Sequence, residues 1–285
     1  MSEPFTLLMP VYRGDDAAHF AKAFSSSVTA QTRRPDEVVL VQDGPVGDEL
    51  AASIETSIEA SPVPVVPHRI PSNVGLARAL SEGLAMSSHD IVARMDADDI
   101  SLPERFEKQV PLVEGGLDLV GTGMLEFLDD VGSIVGRRIP RVDHDEIVRY
   151  ARFHDPFSHP TVVYRRTAVE RAGGYQPLGL MEDYWLFARM IDSGANVGNL
   201  AEPLVMYRVG AGAYARRGGR AQWRSELELQ RALRRIRFTT RTEYLRNVGV
   251  RGLYRFVPEP IRRVAYRRFI AQARPTDPEP RGAAG

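Results

Sequence analysis

The first hundred residues alternate short β-branched runs with longer helical patterns, the rhythm of parallel α/β structure. Phe5 to Met9 reads as a buried first strand, Ala17 to Thr29 as a helix, and Glu37 to Val41 as a second strand after the break at Pro35. A helix from Asp48 to Ala60 follows, then a proline-flanked strand from Val63 to Pro67, placed near a sheet edge because proline cannot donate to an inner ladder. Val74 to Met86 is a helix and Asp90 to Met95 a fourth strand. Right-handed crossovers put all four strands parallel in one sheet, and ligands of such sheets bind at the carboxyl ends of the strands. Three of those ends carry informative residues: Pro10-Val11-Tyr12, Asp43-Gly44 and Asp96-Ala97-Asp98.

Beyond Leu102 the pattern is mixed. A helix to Val113, strands over Leu117 to Thr122 and Met124 to Leu128, a turn at Asp129 to Gly132 and a helix from His144 are expected. A strand over Thr161 to Tyr164 and a helix over Tyr184 to Ile191 follow, with Glu182-Asp183 in the helix's first turn. Residues 219–238 form a basic helical pattern with Trp223, Leu227, Leu229, Leu233 and Ile236 apolar.

Composition narrows the class. At 43% apolar and 26% charged residues the chain is globular rather than fibrous or disordered. It has no cysteine, which removes disulfides, thiolate metal sites and thiol nucleophiles. No signal-type leader and no apolar run of membrane-spanning length are evident, so a cytoplasmic protein is expected. The net charge of zero hides an asymmetry: residues 1–214 hold 19 Lys and Arg against 31 Asp and Glu, whereas residues 215–275 hold 17 Arg against 4 Glu. This divides the chain into an acidic catalytic domain at 1–214, an arginine-rich helical extension at 215–274 and a Pro/Gly-rich disordered tail at 275–285. The extension either attaches the protein to an anionic membrane surface, the reading favoured here, or packs onto the catalytic domain through Trp223, Leu227, Leu233 and Ile236. A second basic stretch opening at Pro260 sets Ile261, Val264, Ala265 and Phe269 on one helical stripe. No aromatic platform accompanies the arginines, so nucleic acid is not an expected partner.

Carboxylates two residues apart, as in Asp96-Ala97-Asp98, can share one hard cation that in turn holds a diphosphate, although acidic turns are also common without a ligand. Asp99 reads as the N-cap of the next helix or as support for the loop. Asn73 and Gly75 open a helix, and Arg78 one turn inside it reaches a phosphate or base edge or else is a solvated helix-face arginine. Glu182-Asp183 is either a dipole partner of its helix or the source of a general base. His159, before the Thr161 strand, is a pocket residue or a satisfied structural histidine.

In this order the segments Met9 to Tyr12, Gln31-Thr32, Val39 to Gly44, Asn73 to Arg78, Met95 to Asp99, His159 to Thr161 and Glu182 to Trp185 resemble glycosyltransferase family 2, the inverting nucleotide-sugar enzymes of GT-A fold. The resemblance spans roughly residues 5–210, and its closest subgroup looks like bacterial enzymes that build polysaccharide, O-antigen or glycolipid chains. It implies a Rossmann-like, mainly parallel sheet flanked by helices. It implies that Asp43 holds the nucleobase edge, that Pro10, Val11 and Tyr12 line its pocket with Asn73 and Arg78 assisting, and that Asp96 bonds the ribose. Asp98 would bind Mn2+ or Mg2+ on the diphosphate and Asp183 would be the catalytic base, with Glu182, His159 and Trp185 either near the acceptor or supporting the residues that touch it. The donor would be a nucleotide-diphosphate sugar, UDP-linked by preference, and the acceptor a glycan or lipid-linked hydroxyl. One departure is Gln42-Asp43-Gly44-Pro45 where the family more often has Asp-Asp-Gly-Ser. A sugar nucleotidyltransferase would place a glycine-rich phosphate loop where this chain has Pro10 to Asp15, and a non-catalytic binding module would not need both Asp98 and Asp183.

Overall fold

The computed structural model describes residues 2–128, 131–209 and 220–256, and for residues 220, 221 and 252–256 the backbone alone. The elements run β1 (Phe5–Tyr12), α1 (Ala17–Ser27), β2 (Glu37–Asp43), α2 (Asp48–Glu59), β3 (Val65–Ile70), α3 (Leu76–Met86), β4 (Ile91–Arg94), β5 (Ile100–Ser101), α4 (Arg105–Glu114), β6 (Leu119–Phe127) and β7 (Ile134–Arg138). They continue with α5 (His144–Ala151), a 3-10 turn (His159–Thr161), β8 (Val163–Arg165), α6 (Arg166–Arg171), α7 (Glu182–Asp192), β9 (Val197–Arg208), α8 (Arg220–Arg235) and α9 (Arg241–Phe256).

All nine strands join one sheet in the order β3-β2-β1-β4-β8-β6-β9-β5, with β7 pairing β6. The four expected strands are parallel neighbours, β3 on the edge as its proline requires. Beyond β4 the sheet turns antiparallel to β8 and then β6, and β6 runs parallel with β9.

The crossover helices bury one face each. Asp16 caps α1 by accepting from the backbone N–H groups of Ala18 and His19, both at 2.9 Å. Phe20, Phe24, Leu50 and Ile54 of α1 and α2, with Phe106 and Val110 of α4, cover one side of the sheet. Leu80 and Leu84 of α3, Ile147 of α5 and Phe187 and Met190 of α7 cover the other. Gly83 permits this packing: a Cβ there would lie 2.5 Å from both Leu8 Cδ1 and Val41 Cγ2, so α3 lies close against β1 and β2 only with glycine.

Several expectations are revised. The two strands expected around Gly123 are one, β6; Gly123 does not break it but lets β9 come near, since a Cβ would lie 2.7 Å from the Ala201 carbonyl oxygen. β9 escaped the sequence reading because Glu202-Pro203 interrupts its apolar pattern, and the ladder shifts register there. The strand expected from Thr161 begins at Val163, behind a 3-10 turn. Asp99 does not cap a helix: α4 starts six residues later, and Asp99 accepts a hydrogen bond from the Arg208 backbone at the end of β9.

The described part of the basic extension packs on the acidic body. Leu229 and Leu233 of α8 are fully buried with Phe238 against Ala151, Tyr184, Trp185 and Ala188, and Ile236 is partly buried with them. Each leucine contributes about 2 kcal/mol of burial. Trp223 and Leu227 are half-buried. No described helix is long and apolar enough to cross a membrane. The amphipathic stripe expected from Pro260 and the tail at 275–285 lie outside the described residues.

Candidate active site

The carboxyl ends of β1, β2 and β4 gather the expected residues, and the register sets Tyr12 directly beside Asp43. Pro10 and Val11 are buried within β1, Val11 as part of the core, so the exposed member of the loop is Tyr12. Its ring folds back over Gly14, where a Cβ would come within 2.4 Å of the phenol oxygen.

Asp43 is 5% exposed and organises the start of α3. Its Oδ1 accepts from Val74 N–H at 2.7 Å, and its Oδ2 from Asn73 Nδ2 at 2.9 Å and Gly75 N–H at 3.0 Å. A carboxylate has about four acceptor directions, so Oδ1 keeps one lone pair for a further donor. Asn73 thus acts on Asp43, while Arg78 lies exposed on the first turn of α3. Arg78 rims a crevice of about 90 Å³ that Gly75, Gly179 and Glu182 also line.

The loop after β4 carries the strongest charge arrangement. Asp96, Asp98 and Asp99 each offer an oxygen, and these atoms lie within 4.8 Å of one another. Arg94, 1% exposed, holds Asp96 in a two-pronged ion pair, Nη1 to Oδ2 at 2.8 Å and Nη2 to Oδ1. Arg105, fully buried on α4, fixes the loop from behind: its Nη2 donates to the Arg94 carbonyl at 2.7 Å and its Nη1 to Ser101 Oγ at 2.9 Å. Burial and the neighbouring Arg94 bring the Arg105 guanidinium down to about 9.

Asp99 is fully buried; its Oδ1 takes the Arg208 N–H at 2.8 Å while Oδ2 has no hydrogen-bond partner. Burial, then Asp96 and Asp98, push its carboxyl well above the usual range, and burial and Asp96 raise Asp98. A fourth acid joins them from the loop after β1. Asp15 Oδ2 accepts from Tyr12 N–H at 2.9 Å, and burial, opposed by that bond and reinforced by Asp98 and Asp96, pushes its carboxyl up to about 7. Crowded carboxylates with an orphaned buried oxygen are the environment a hard divalent cation relieves, so these residues fit an oxygen-ligated Mg2+ or Mn2+.

Across the cleft, Glu182 and Asp183 open α7. Burial, then Asp183, pushes the Glu182 carboxyl up to about 7, and its Oε2 is buried without a hydrogen-bond partner. Asp183 Oδ1 accepts from the Tyr184 N–H at 2.7 Å; burial raises its carboxyl, and Arg94 opposes the rise. Asp155, on the loop after α5, was not singled out from sequence. Burial and the Asp183 charge push it well above the ordinary range, so the two acids form one electrostatic unit.

The other two candidates are structural in their contacts. His159 is 7% exposed, its Nε2 lies 3.0 Å from Tyr175 Oη, and burial followed by Arg94 holds it well below the usual imidazole range. Trp185 is 8% exposed, donates to Gln176 Oε1 at 3.2 Å and packs in the cluster that seats α8. A signal for Arg94 existed in the sequence: it is the one charge inside the apolar run Ile91 to Met95, two residues before an acid.

The sequence model described as glycosyl transferase family 2 matches residues 6–173. The chain belongs to that family. The transferase is 36% identical to the amylovoran biosynthesis glycosyltransferase AmsE of Erwinia amylovora over 267 residues, covering 92% of this chain and 97% of the relative. It is 29% identical to an Escherichia coli UDP-Gal:alpha-D-GlcNAc-diphosphoundecaprenol beta-1,3-galactosyltransferase over 269 residues, covering 93% and 96%. In fold it is similar to S. aureus TarS 1-349 in complex with UDP-GlcNAc, with a TM-score of 0.65 and 15% identity over 94% of this chain and 73% of that one. The chain is therefore a glycosyltransferase of GT-A fold, with an acid cluster that fits the DXD motif expected of it.

Proposed function

We propose that the transferase moves a sugar from a nucleotide-diphosphate donor, UDP-linked by preference, to a hydroxyl of a glycan or lipid-linked acceptor in bacterial polysaccharide or glycolipid synthesis, with inversion at the anomeric carbon. The acceptor class follows the relatives, whose names specify amylovoran and a diphosphoundecaprenol-linked sugar. The observation that carries the reading is a pair of acid groups within electrostatic reach of each other: Asp96, Asp98 and Asp99 on the loop after β4, and Asp183 at the start of α7, on which Arg94 and Asp96 act.

Asp43 keeps one Oδ1 lone pair for a base N–H, beside the open ring of Tyr12, and Arg78 stands at the pocket rim. Asp96, oriented by Arg94, faces the ribose. Asp98 would hold the divalent cation, with Asp99 Oδ2 a further oxygen for it. When bound, such a cation would neutralise charge on the departing diphosphate. Asp183 takes the proton of the attacking hydroxyl, and burial raises its affinity for that proton. No protein nucleophile is needed for a single displacement.

Attachment to an anionic membrane surface is part of the same proposal. The described α9 exposes Leu245 at 67% and Val250 at 63%, with Arg241 and Arg246 also exposed. The test of the reading is turnover of UDP-, GDP- and dTDP-sugars with Mn2+, Mg2+ or chelator, read as nucleotide release. Release from a UDP-sugar only with a divalent cation supports it; equal release with chelator contradicts the metal role.

A further inference from the structure

Besides the apolar seat of α8, the described C-terminal helices make polar contacts with the catalytic body close to acids of the candidate site, at the end of α5 and just before α7. The last carbonyls of a helix have no partner within it. At the end of α5 three consecutive carbonyls, those of Ala151, Arg152 and Phe153, accept from side chains instead. Tyr184 Oη of α7 donates to the first at 2.7 Å, Asn247 Nδ2 of α9 to the second at 2.9 Å, and Arg251 Nη2 of α9 to the third. Asp155 follows two residues later.

The donors from α9 are themselves held. Arg251 Nη1 pairs with Glu226 Oε1 of α8 at 2.7 Å, and Glu226 is fully buried. Gln230 donates to that same oxygen at 3.1 Å and accepts from Asn247 Nδ2 at 3.0 Å, closing a network across both helices. The second meeting place is the segment just before Glu182-Asp183. Ser225 Oγ accepts the Leu180 N–H at 3.3 Å, and Gly179, at φ +58°, lets α8 lie so near that a Cβ would come within 2.2 Å of that oxygen.

We propose that α8 and α9 are a positioning element of the transfer reaction: through Arg251, Asn247 and Ser225 they fix the Asp155 loop and the start of α7, and so set Asp155 against Asp183. Arg251 is then a positioning residue acting through the Phe153 carbonyl and never touching substrate. The proposal rests on the reading of Asp183 as the base. The charged groups that face the pair agree with it: Arg251 and Arg138 act on Asp155, and Arg94 and Asp96 on Asp183. A basic segment built only to bind membranes has no need of buried Glu226, Gln230 and Asn247, which are 0%, 0% and 4% exposed.

The experiment uses the full chain with Glu226→Leu and Arg251→Met together, because replacing a buried ion pair by apolar groups of similar size is often neutral for stability. Thermal unfolding, UDP affinity with Mn2+ and kcat are measured on the UDP-sugar that wild type turns over. The expected result is an unchanged UDP affinity, an unchanged donor KM and a kcat lower by about tenfold to a hundredfold, the cost of a displaced catalytic group. Arg251→Lys in the Glu226 background, which keeps a donor at that place, is expected to recover part of kcat and serves as the folded control. Wild-type kcat in the double variant, or a loss of UDP affinity matching the loss of kcat, overturns the proposal. If Asp183→Asn is inactive while the double variant is fully active, the positioning proposal fails alone; if Asp183→Asn transfers normally, the base assignment fails first.

Discussion

Arg94 and Asp96 form a two-pronged ion pair in which the cation is 1% exposed and the anion stands at the cleft, with Nη1 and Oδ2 2.8 Å apart. The pair is the electrostatic floor of the site. Arg94 is a buried cation that acts on both groups of acids, Asp98 and Asp99 in one and Glu182 and Asp183 in the other. Removing Arg94 leaves Asp96, 28% exposed, the buried Asp99 and the half-buried Asp183 without their shared counter-charge. Arg94→Gln is therefore expected to lower stability by about 3 kcal/mol. Urea unfolding checks this, and added Mn2+ is expected to restore part of the loss by neutralising the exposed carboxylates.

Asp98→Ala is expected to weaken UDP binding in the presence of Mn2+ by roughly tenfold or more, since even the outer partners of metal ligands are worth that much. Titration of UDP into both proteins, with Mn2+ and with chelator, measures it. The wild-type protein should lose affinity when the cation is removed, and the variant should respond little. Equal affinity in all four titrations removes the cation bridge from the account.

Protons and a cation compete for the same acids. Asp15 and Glu182 are raised from ordinary values of 3.8 and 4.5 to about 7. A carboxyl raised on folding binds protons more tightly in the native state, so its contribution to stability is complete below its unfolded value and is lost as pH climbs through about 7. Asp15→Asn with Glu182→Gln should then stabilise the metal-free protein at pH 8 relative to wild type, and this gain should shrink at pH 5. Urea midpoints at the two pH values decide it, and a gain independent of pH contradicts the assignment.

The parallel half of the fold was legible because its strands are short apolar runs between well-punctuated helices. Phe5–Tyr12, Glu37–Asp43 and Ile91–Arg94 are buried on both faces and read as such. β9 was hidden because Pro203 splits it, and β7 because its five residues are half-exposed or exposed and carry little periodic signal. In the site, Asp43, Asp96, Asp98 and Asp183 stood next to element ends where sequence patterns are strongest. Asp155 and Asp15 carry no such mark, because what makes them unusual is burial beside acids distant in the chain. The same holds for Arg251: as one arginine among seventeen in residues 215–275 it carried no mark, and only the Phe153 carbonyl and Glu226 distinguish it.

The arginine-rich segment is expected to bind anionic vesicles even though α8 is seated on the body. Each basic group near such a surface contributes on the order of 1 kcal/mol. Co-sedimentation of the full chain with vesicles of rising anionic-lipid content, at physiological salt, is the check. Leu245→Glu with Val250→Glu should reduce the bound fraction, because both side chains are exposed. A full chain that stays in solution on strongly anionic vesicles rules attachment out.

In the proposed reaction Asp183 takes the acceptor's proton, apart from the residues that hold the donor. The most direct measurement compares Asp183→Asn with wild type for UDP affinity in Mn2+ and for the rate of sugar transfer. Near-equal affinity is expected, with a rate lower by about a hundredfold or more, the usual size of a general-base contribution. Transfer at the wild-type rate would contradict it and move the base to Glu182 or Asp155.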